Sequence, residues 1–326
     1  MAECIYNVNG QRGDMMHTAA GTTPNADARK CRAKFILTYG KDGSTQTFES
    51  SSILSVSIIS EYSESSENEP ICELNIVLDN SSRLFNVTDK NNLYYSLSTR
   101  NTYGEVYIST VIHGMSDIFL KKSKLQYDGI SFSKNKVTLK FYDPFGFDRF
   151  DNDGMKSACN KTDGTARAIV DYVMEDNYYV ARCEISDTLN NLRTFSETNF
   201  QKNGLYLTQR VSLRRIAAIL GATAKQTVLC YIDDNGNLKY DYQKAISDKT
   251  ETLTETDYTD FRIEPPETTA GAAIGVFNDR GNILREIGDI VSLSQGAEVL
   301  NMRIFRIAYS YNNGVLSAEN KGYILT

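Results

Sequence analysis

Residues 72–79 read Cys-Glu-Leu-Asn-Ile-Val-Leu-Asp, and every second side chain from Cys72 to Leu78 is apolar. This alternation is typical of a β-strand with one buried face and one wetted face. Residues 33–39 and 136–141 repeat the same pattern. Because the period of two recurs along this whole region, the sequence predicts antiparallel strands rather than helices there.

The pattern changes at Asp143-Pro144-Phe145-Gly146, where proline and glycine interrupt strand pairing and predict a boundary near residue 150. Beyond it, apolar residues at helical spacing predict two short helices, at 165–174 and 212–220. A turn at 233–237 predicts a hairpin beside them. Strand patterns then resume, and short apolar runs predict further strands at 261–263, 273–277, 283–287, 290–293 and 302–311.

The charge balance argues against binding to nucleic acid phosphates. The chain has 326 residues, with 35 Lys and Arg against 41 Asp and Glu, and a net charge of −6. Proteins that hold nucleic acid by its phosphates normally carry a basic excess or a basic stripe. No apolar run is long enough to predict a membrane anchor, and the first residues lack the pattern of a signal peptide.

The six cysteines are scattered and include no Cys-x-x-Cys pair. In a chain of this length without a secretory leader, we expect reduced thiols and assembly in a reducing cytoplasm. The cysteines are Cys4, Cys31, Cys72, Cys159, Cys183 and Cys230.

Acidic residues form two clusters that resemble metal sites. The first faintly resembles a calcium loop but lacks the Glu expected at loop position 12, and it consists of Asp148, Asp151 and Asp153 before Gly154. The second, Asp233–Asn237, has the composition that hairpin turns select for backbone reasons. We interpret both as solvated loops and predict no metal site.

Neither histidine has a recognisable catalytic setting. His113 lies in a strand-like run, with no serine or cysteine in a nucleophile-elbow context, and His17 lies in a polar segment. No glycine-rich phosphate loop follows a strand and opens a helix. We therefore assign no catalytic, cofactor-binding or metal-binding residue and expect neither enzyme activity nor a cofactor.

Paired tyrosines are the remaining candidates for a binding surface. Tyrosine suits protein interfaces, and it also stacks on sugars. These features leave a carbohydrate-binding protein as an alternative, and a glycan hydrolase with unassigned carboxylates as a second one. The pairs are Tyr94-Tyr95, Tyr178-Tyr179, Tyr240/Tyr242 and Tyr309/Tyr311.

The order of four segments resembles tail hub (baseplate hub) proteins of tailed bacteriophages and related contractile injection systems. Strand pairs at the start and end of the first β region carry part of this resemblance, and a helix with its hairpin and a terminal Gly-Asp-x-Val region carry the rest. The segments are 53–61 with 73–80, 104–108 through 139–144, 212–220 with 234–238, and 287–291 with 309–319.

The resemblance implies a mainly β fold with a small α/β insertion and two tube-like antiparallel β-barrel domains. In such proteins two barrels per subunit and three subunits per ring match a hexameric tail tube. The implied domains are an N-terminal arm at 1–32, a first β-barrel domain at 33–150, a small α/β domain at 151–194 and 211–249, and a second β-barrel domain at 195–210 and 250–326.

The resemblance also implies a structural role in the virion, at the tail baseplate or tip. The expected partners are two further copies in a homotrimer, the hexameric tail tube or distal tail proteins, a spike, tip or fibre protein, and the tape-measure protein. DNA is expected to pass through the channel without specific binding, which suits the acidic charge.

Overall fold

A computed structural model of the chain describes thirteen stretches of it. These are residues 31–61, 72–110, 118–143, 163–174, 183–192, 195–196, 209–226, 228–232, 237–242, 250–266, 272–283, 285–296 and 298–325.

Seven strands come from the first β region. Their apolar residues alternate with polar ones, so one face of each strand enters the core; in β4 all four alternate residues from Cys72 to Leu78 are buried. The strands are β1 (Cys31–Tyr39), β2 (Ser44–Glu49), β3 (Ile53–Glu61), β4 (Cys72–Asp79), β5 (Tyr103–Thr110), β6 (Ile118–Ser133) and β7 (Lys136–Tyr142). A 3₁₀ turn spans Leu93–Ser96.

The middle of the chain forms a small α/β unit with its own apolar core. Two helices lie against strands and bury their apolar stripes, including Ile169 and Leu213. The elements are β8 (Asp163–Gly164), α1 (Ala166–Met174), β9 (Cys183–Ile185), α2 (Asp187–Asn190), β10 (Phe195–Ser196), α3 (Gln209–Ala224), β11 (Val228–Ile232) and β12 (Leu238–Tyr242). No helix in the described part of the chain is both long and apolar enough to cross a bilayer.

Six strands follow in the second β region. They are β13 (Thr250–Leu253), β14 (Tyr258–Glu264), β15 (Ile274–Asp279), β16 (Ile290–Gln295), β17 (Glu298–Asn312) and β18 (Val315–Ile324). All thirteen strands of the two β regions belong to one hydrogen-bonded sheet, in which β3 pairs with β17. The main apolar core is likewise continuous, since it contains residues of both regions.

The two β regions repeat one five-strand arrangement. We call β3–β7 the first unit and β14–β18 the second unit. In each unit the first strand pairs with the second, the second with the fifth, the fifth with the fourth and the fourth with the third, always antiparallel. In each unit the fourth strand is the longest, with 16 residues in β6 and 15 in β17. This shared order is invisible as sequence identity.

The expected fold class, mainly β with a small α/β insertion, is confirmed. Three details differ from the sequence-based expectation. The described residues of the segment 283–287 lie in turns and irregular backbone instead of a strand, strand β1 begins at Cys31 inside the expected arm, and a one-turn helix at Asp187–Asn190 was missed. The division into domains stays a prediction, although Phe195–Ser196 pairs with Asp163–Gly164 of the α/β unit rather than with the second β region.

Candidate functional site

The junction of β3 with β17 is the feature that joins the two units. Seven residue pairs connect them, from Asn312 opposite Ser55 to Arg306 opposite Glu61. Tyr311 and Tyr309 of β17 are buried, and they stand opposite Val56 and Ile58, which are buried too. Since a paired edge removes the exposed backbone groups of both strands, this junction turns two sheet edges into the middle of one sheet.

A row of alternating charges crosses the junction. The guanidinium of Arg306 contacts Glu61 of β3 at 3.2 Å and donates to Glu319 of β18 at 2.6 Å. Glu319 also lies 3.7 Å from Arg262 of β14, which donates to Glu264 at 3.0 Å. The row therefore spans β3, β17, β18 and β14. Its members are partly solvent-accessible, so we assign it a role in alignment more than in stability.

A fully buried arginine lies inside the second unit. Arg285 donates two hydrogen bonds of 2.9 Å to Glu251 of β13 and further ones to Asp279 of β15 and to Asn320 of β18, the last at 2.8 Å. Its guanidinium lies 5.4 Å from the centre of the Phe277 ring. We call this group the arginine cage, because it ties three strands together through one side chain.

The charges in the arginine cage compensate each other. Burial by itself would lower the pKa of Arg285, but the carboxylates of Asp279 and Glu251 outweigh burial and raise that pKa above its usual range. Arg285 is thus held as a cation in the interior. The donors of the guanidinium meet two carboxylates and an amide oxygen, so the cage is a structural element and not a reactive one.

An exposed aromatic cluster lies at the far end of the first unit. The rings of Tyr94 and Tyr95 meet edge to face at 5.0 Å, and Phe132 lies 5.9 Å from Tyr94. Tyr95 is half exposed and its hydroxyl donates to the carbonyl of Val87 at 2.6 Å. Among the three tyrosine pairs that lie within the described residues, this is the one with an exposed member, Tyr95.

Two other tyrosine pairs are largely structural. Tyr240 is buried and donates to the carbonyl of Leu213 at 2.9 Å, and burial raises its pKa well above the usual range. Tyr242 is partly buried against the same core. Tyr309 and Tyr311 belong to the main core. Tyr178-Tyr179 lies outside the described residues.

Most of the other sequence candidates cannot be placed. The possible calcium loop at 148–154, His17, His113, Cys4 and Cys159 all lie outside the described residues, as do 233–236 of the second acidic cluster. Asn237 is buried, with its amide 3.5 Å from Glu184. Within the stretches that the structure covers, no group of three or more His, Cys, Asp or Glu side chains is arranged to hold a metal ion.

Four of the six cysteines lie within the described residues, and these four form no disulfide there: Cys31, Cys72, Cys183 and Cys230. Burial raises the pKa of Cys31 and, to about 12, that of Cys183. Both thiols are therefore protonated near neutral pH and poorly nucleophilic.

Sequence reasoning missed the arginine cage and the strand junction. The segment Arg285-Glu286-Ile287 reads as a strand end, and nothing local shows that the arginine faces inward. A charged residue between Ile283 and Ile287 was the available signal, since strand interiors rarely hold an arginine without a partner. The β3–β17 pairing joins residues some 250 positions apart, which no local pattern encodes.

Solved structures share the fold of this chain. A tail protein from Neisseria meningitidis MC58 superposes with a TM-score of 0.58 at 10% identity, over 89% of this chain and 96% of its own. The 43 kDa tail protein of prophage MuSo2 from Shewanella oneidensis gives 0.53 at 11% identity, over the same shares. An E. coli component of the type VI secretion system, described as similar to T4 bacteriophage tail proteins, gives 0.51 at 8% identity, over 84% and 74%. No family model and no curated protein matches the sequence.

The chain therefore has the fold of bacteriophage tail proteins, and the resemblance stated from the sequence is confirmed at that level. These neighbours are described as tail proteins and as a secretion-system component. At sequence identities near 10%, the similarity to these structures shows a shared fold and nothing further.

Proposed function

We propose that this protein is a structural tail hub, three copies of which form a ring between a hexameric tail tube and a trimeric spike or tip. The observation that carries the proposal is the five-strand unit, which occurs twice in one chain with the same strand order. A sixfold tube presents six equal docking edges. A trimer can bind all six equivalently only if each copy offers two equivalent surfaces. Three chains with two units each meet that requirement.

The ring would surround a channel for the tape-measure protein and then DNA. The net charge of −6 supports passage without adhesion, because a lumen that repels phosphates does not retain DNA. The first unit with β1 and β2 and the second unit with β13 would serve as the two tube domains. The α/β unit, which carries the three helices of the described chain, would lie away from the channel.

The proposed partners are distal tail proteins above the ring and a spike, tip or fibre protein below it, in a virion assembled in the host cytoplasm. Support comes from the shared fold with tail proteins of a bacterium and a prophage. The geometry of a repeated unit favours this structural role over catalysis.

Imaging tests the proposal. The purified full chain, alone and mixed with the tail-tube protein from the same source, is examined by light scattering for mass and by negative-stain electron microscopy for symmetry. We expect a three-copy ring with six similar lobes that stacks on the tube. A particle with twofold symmetry, or a chain that stays single in both samples, would contradict the hub.

The carbohydrate-binding alternative keeps one supporting observation, the half-exposed ring of Tyr95 packed against the partly buried Tyr94. Such faces stack on sugars as readily as on protein. Binding to host surface glycans that is lost in Tyr95→Ser, in a chain that forms no ring, would favour that alternative. Binding of the chain to the tube protein, without binding to glycans, would favour the hub.

A further inference from the structure

The hairpin turns align the fourth strands of the two units. β6 and β7 are joined by residues 134–135, and β17 and β18 by residues 313–314. Phe132 and Tyr311 are each the second residue before the turn, so they are counterparts in the two units. In the second unit, the strand segment that contains Tyr311 pairs on its outer side with β3.

The first strands of the two units align in the same way. The residue of β15 that pairs with Tyr258 also pairs, on its other side, with Ala318, the fourth residue of β18. In the first unit, the residue of β4 that pairs with Val56 also pairs, on its other side, with Leu139, the fourth residue of β7. Tyr258 is therefore the counterpart of Val56, the residue that stands opposite Tyr311 in the junction.

Two edges of the sheet lack the neighbour that their counterparts have. Among the described strands, β14 ends the sheet and pairs only with β15, whereas its counterpart β3 pairs with both β4 and β17. Likewise, residues 129–133 of β6 pair with β7 on one side, and no described strand pairs with them on the other. Within the described residues, the first strand of the second unit and the fourth strand of the first unit therefore each have one edge without a partner strand.

We propose that β14 of one copy pairs antiparallel with residues 129–133 of β6 in a second copy, in the register of the β3–β17 junction. That register sets Phe132 opposite Tyr258, Ser131 opposite Thr259 and Gly129 opposite Arg262. The inference rests on the proposed ring and deepens it, since each copy then uses one open edge on each side. Head-to-tail pairing of this kind closes into a ring when the rotation permits it.

Burial at matched positions supports the pairing. Tyr311 is 2% exposed in the junction, whereas its counterpart Phe132 is 43% exposed. Ser60 of β3 is 9% exposed, and its counterpart on β14, Ile263, is 57% exposed. Phe132 and Ile263 are thus large apolar side chains left open on the two edges, at the places where a neighbouring strand covers their counterparts.

Disulfide trapping tests the register. Ser131→Cys and Thr259→Cys are combined in the full chain, which is oxidised over a range of concentrations and run on non-reducing gels. Because residues 131 and 259 would be directly opposite each other, we expect covalent species of two and three copies. The matched control is Ser57→Cys with Ser310→Cys, a pair that the structure already places opposite each other within one copy. It should cross-link without a gain in mass.

Four further controls isolate the edge. Each single cysteine variant should give only background, and Ser133→Cys with Thr259→Cys, two residues out of register, should cross-link several-fold less. Phe132→Asp should abolish cross-linking by the Ser131–Thr259 pair while leaving the control pair intact. Val299→Asp changes a comparably exposed residue of β17 and should leave both unchanged.

The outcomes separate this inference from the hub proposal. A threefold ring under the microscope without a Ser131–Thr259 cross-link would overturn the pairing and keep the hub. Cross-linked chains that grow past three copies would keep the pairing and overturn the closed ring. Equal cross-linking by the in-register and out-of-register pairs would also overturn the pairing.

Discussion

Phe141 and Asn320 occupy the same place in their units, each as the sixth residue of its last strand, and both are fully buried. Around Phe141 the first unit is aromatic: its ring meets Phe35 at 5.5 Å and Tyr127 at 5.8 Å. Around Asn320 the second unit is ionic, because the amide oxygen accepts from Arg285. One strand arrangement is therefore stabilised by two different kinds of interior.

The difference shows that topology and core chemistry vary independently. The aromatic core needs close approach, and Gly104 provides it, since a β-carbon there would lie 2.9 Å from the Phe141 ring. The arginine cage needs complete pairing, because a buried charge without partners is costly. The first unit, whose described core is mainly apolar, should thus not tolerate an added buried charge, whereas the second should respond to the loss of the charge that it pairs.

The largest effect is expected from a charge placed in the core of the first unit. Leu74→Asp buries an unpaired carboxylate at a position with no solvent access, which costs several kcal/mol, and should abolish folding of the first β region. Ile76→Asp should behave alike. Yield and size-exclusion profile provide the measurement. Asn75→Asp, on the other face of the same strand, is the control, and well-folded assemblies from Leu74→Asp would mean that the core tolerates the charge.

Removing the buried cation should be the next most severe change. Arg285→Met leaves the carboxylates of Glu251 and Asp279 without their partner, and we expect the free energy of unfolding to fall by about 3–5 kcal/mol. Urea unfolding measures it. The matched control, Arg262→Met, alters a largely exposed arginine and should change stability by less than about 1 kcal/mol. Similar losses in the two variants would argue against a distinct role for the cage.

Alkaline pH should weaken the aromatic unit through Tyr127. Burial, aided by the charges of Tyr94 and Asp128, raises the pKa of Tyr127 from 10.0 to about 12. Because the native state keeps the proton that the unfolded chain releases, this contribution to stability is complete below pH 10 and is lost as the pH rises towards 12. The melting temperature of the wild type should therefore drop more steeply over this window than that of Tyr127→Phe. Parallel curves would count against the prediction.

The smallest effect is expected at the hairpin turns. Lys134 of the first unit has a φ of 52°, and its counterpart in the second unit, Asn313, has a φ of 47°. The second turn continues with Gly314, at a φ of 86°, where the first has Asn135. A left-handed conformation strains a residue with a β-carbon, so Lys134→Gly should stabilise the chain by about 0.5–1 kcal/mol. Gly314→Ala should destabilise it by a similar amount. Chemical denaturation measures the free energy of unfolding of both variants. If that free energy changed in the same direction in the two, this account would be wrong.

The sequence by itself determined most strands of the first β region, though not β2, as well as the two longer helices and the mainly β class. Period-two alternation at 72–79 and helical spacing at 212–220 are local signals, read directly from which side chains avoid water. It also placed Leu74 and Ile76 on the buried face, as the structure confirms.

Only the tertiary structure decided how the strands combine. The β3–β17 junction, the matched order of the two units and the inward turn of Arg285 depend on partners far away in the chain. The alternation of apolar and polar residues indicates which face of a strand is buried. It does not indicate which strands pair along their edges, because the backbone groups that form those hydrogen bonds are the same in every sequence. Even an internal repeat can therefore leave no trace in the residues while remaining plain in the pairing.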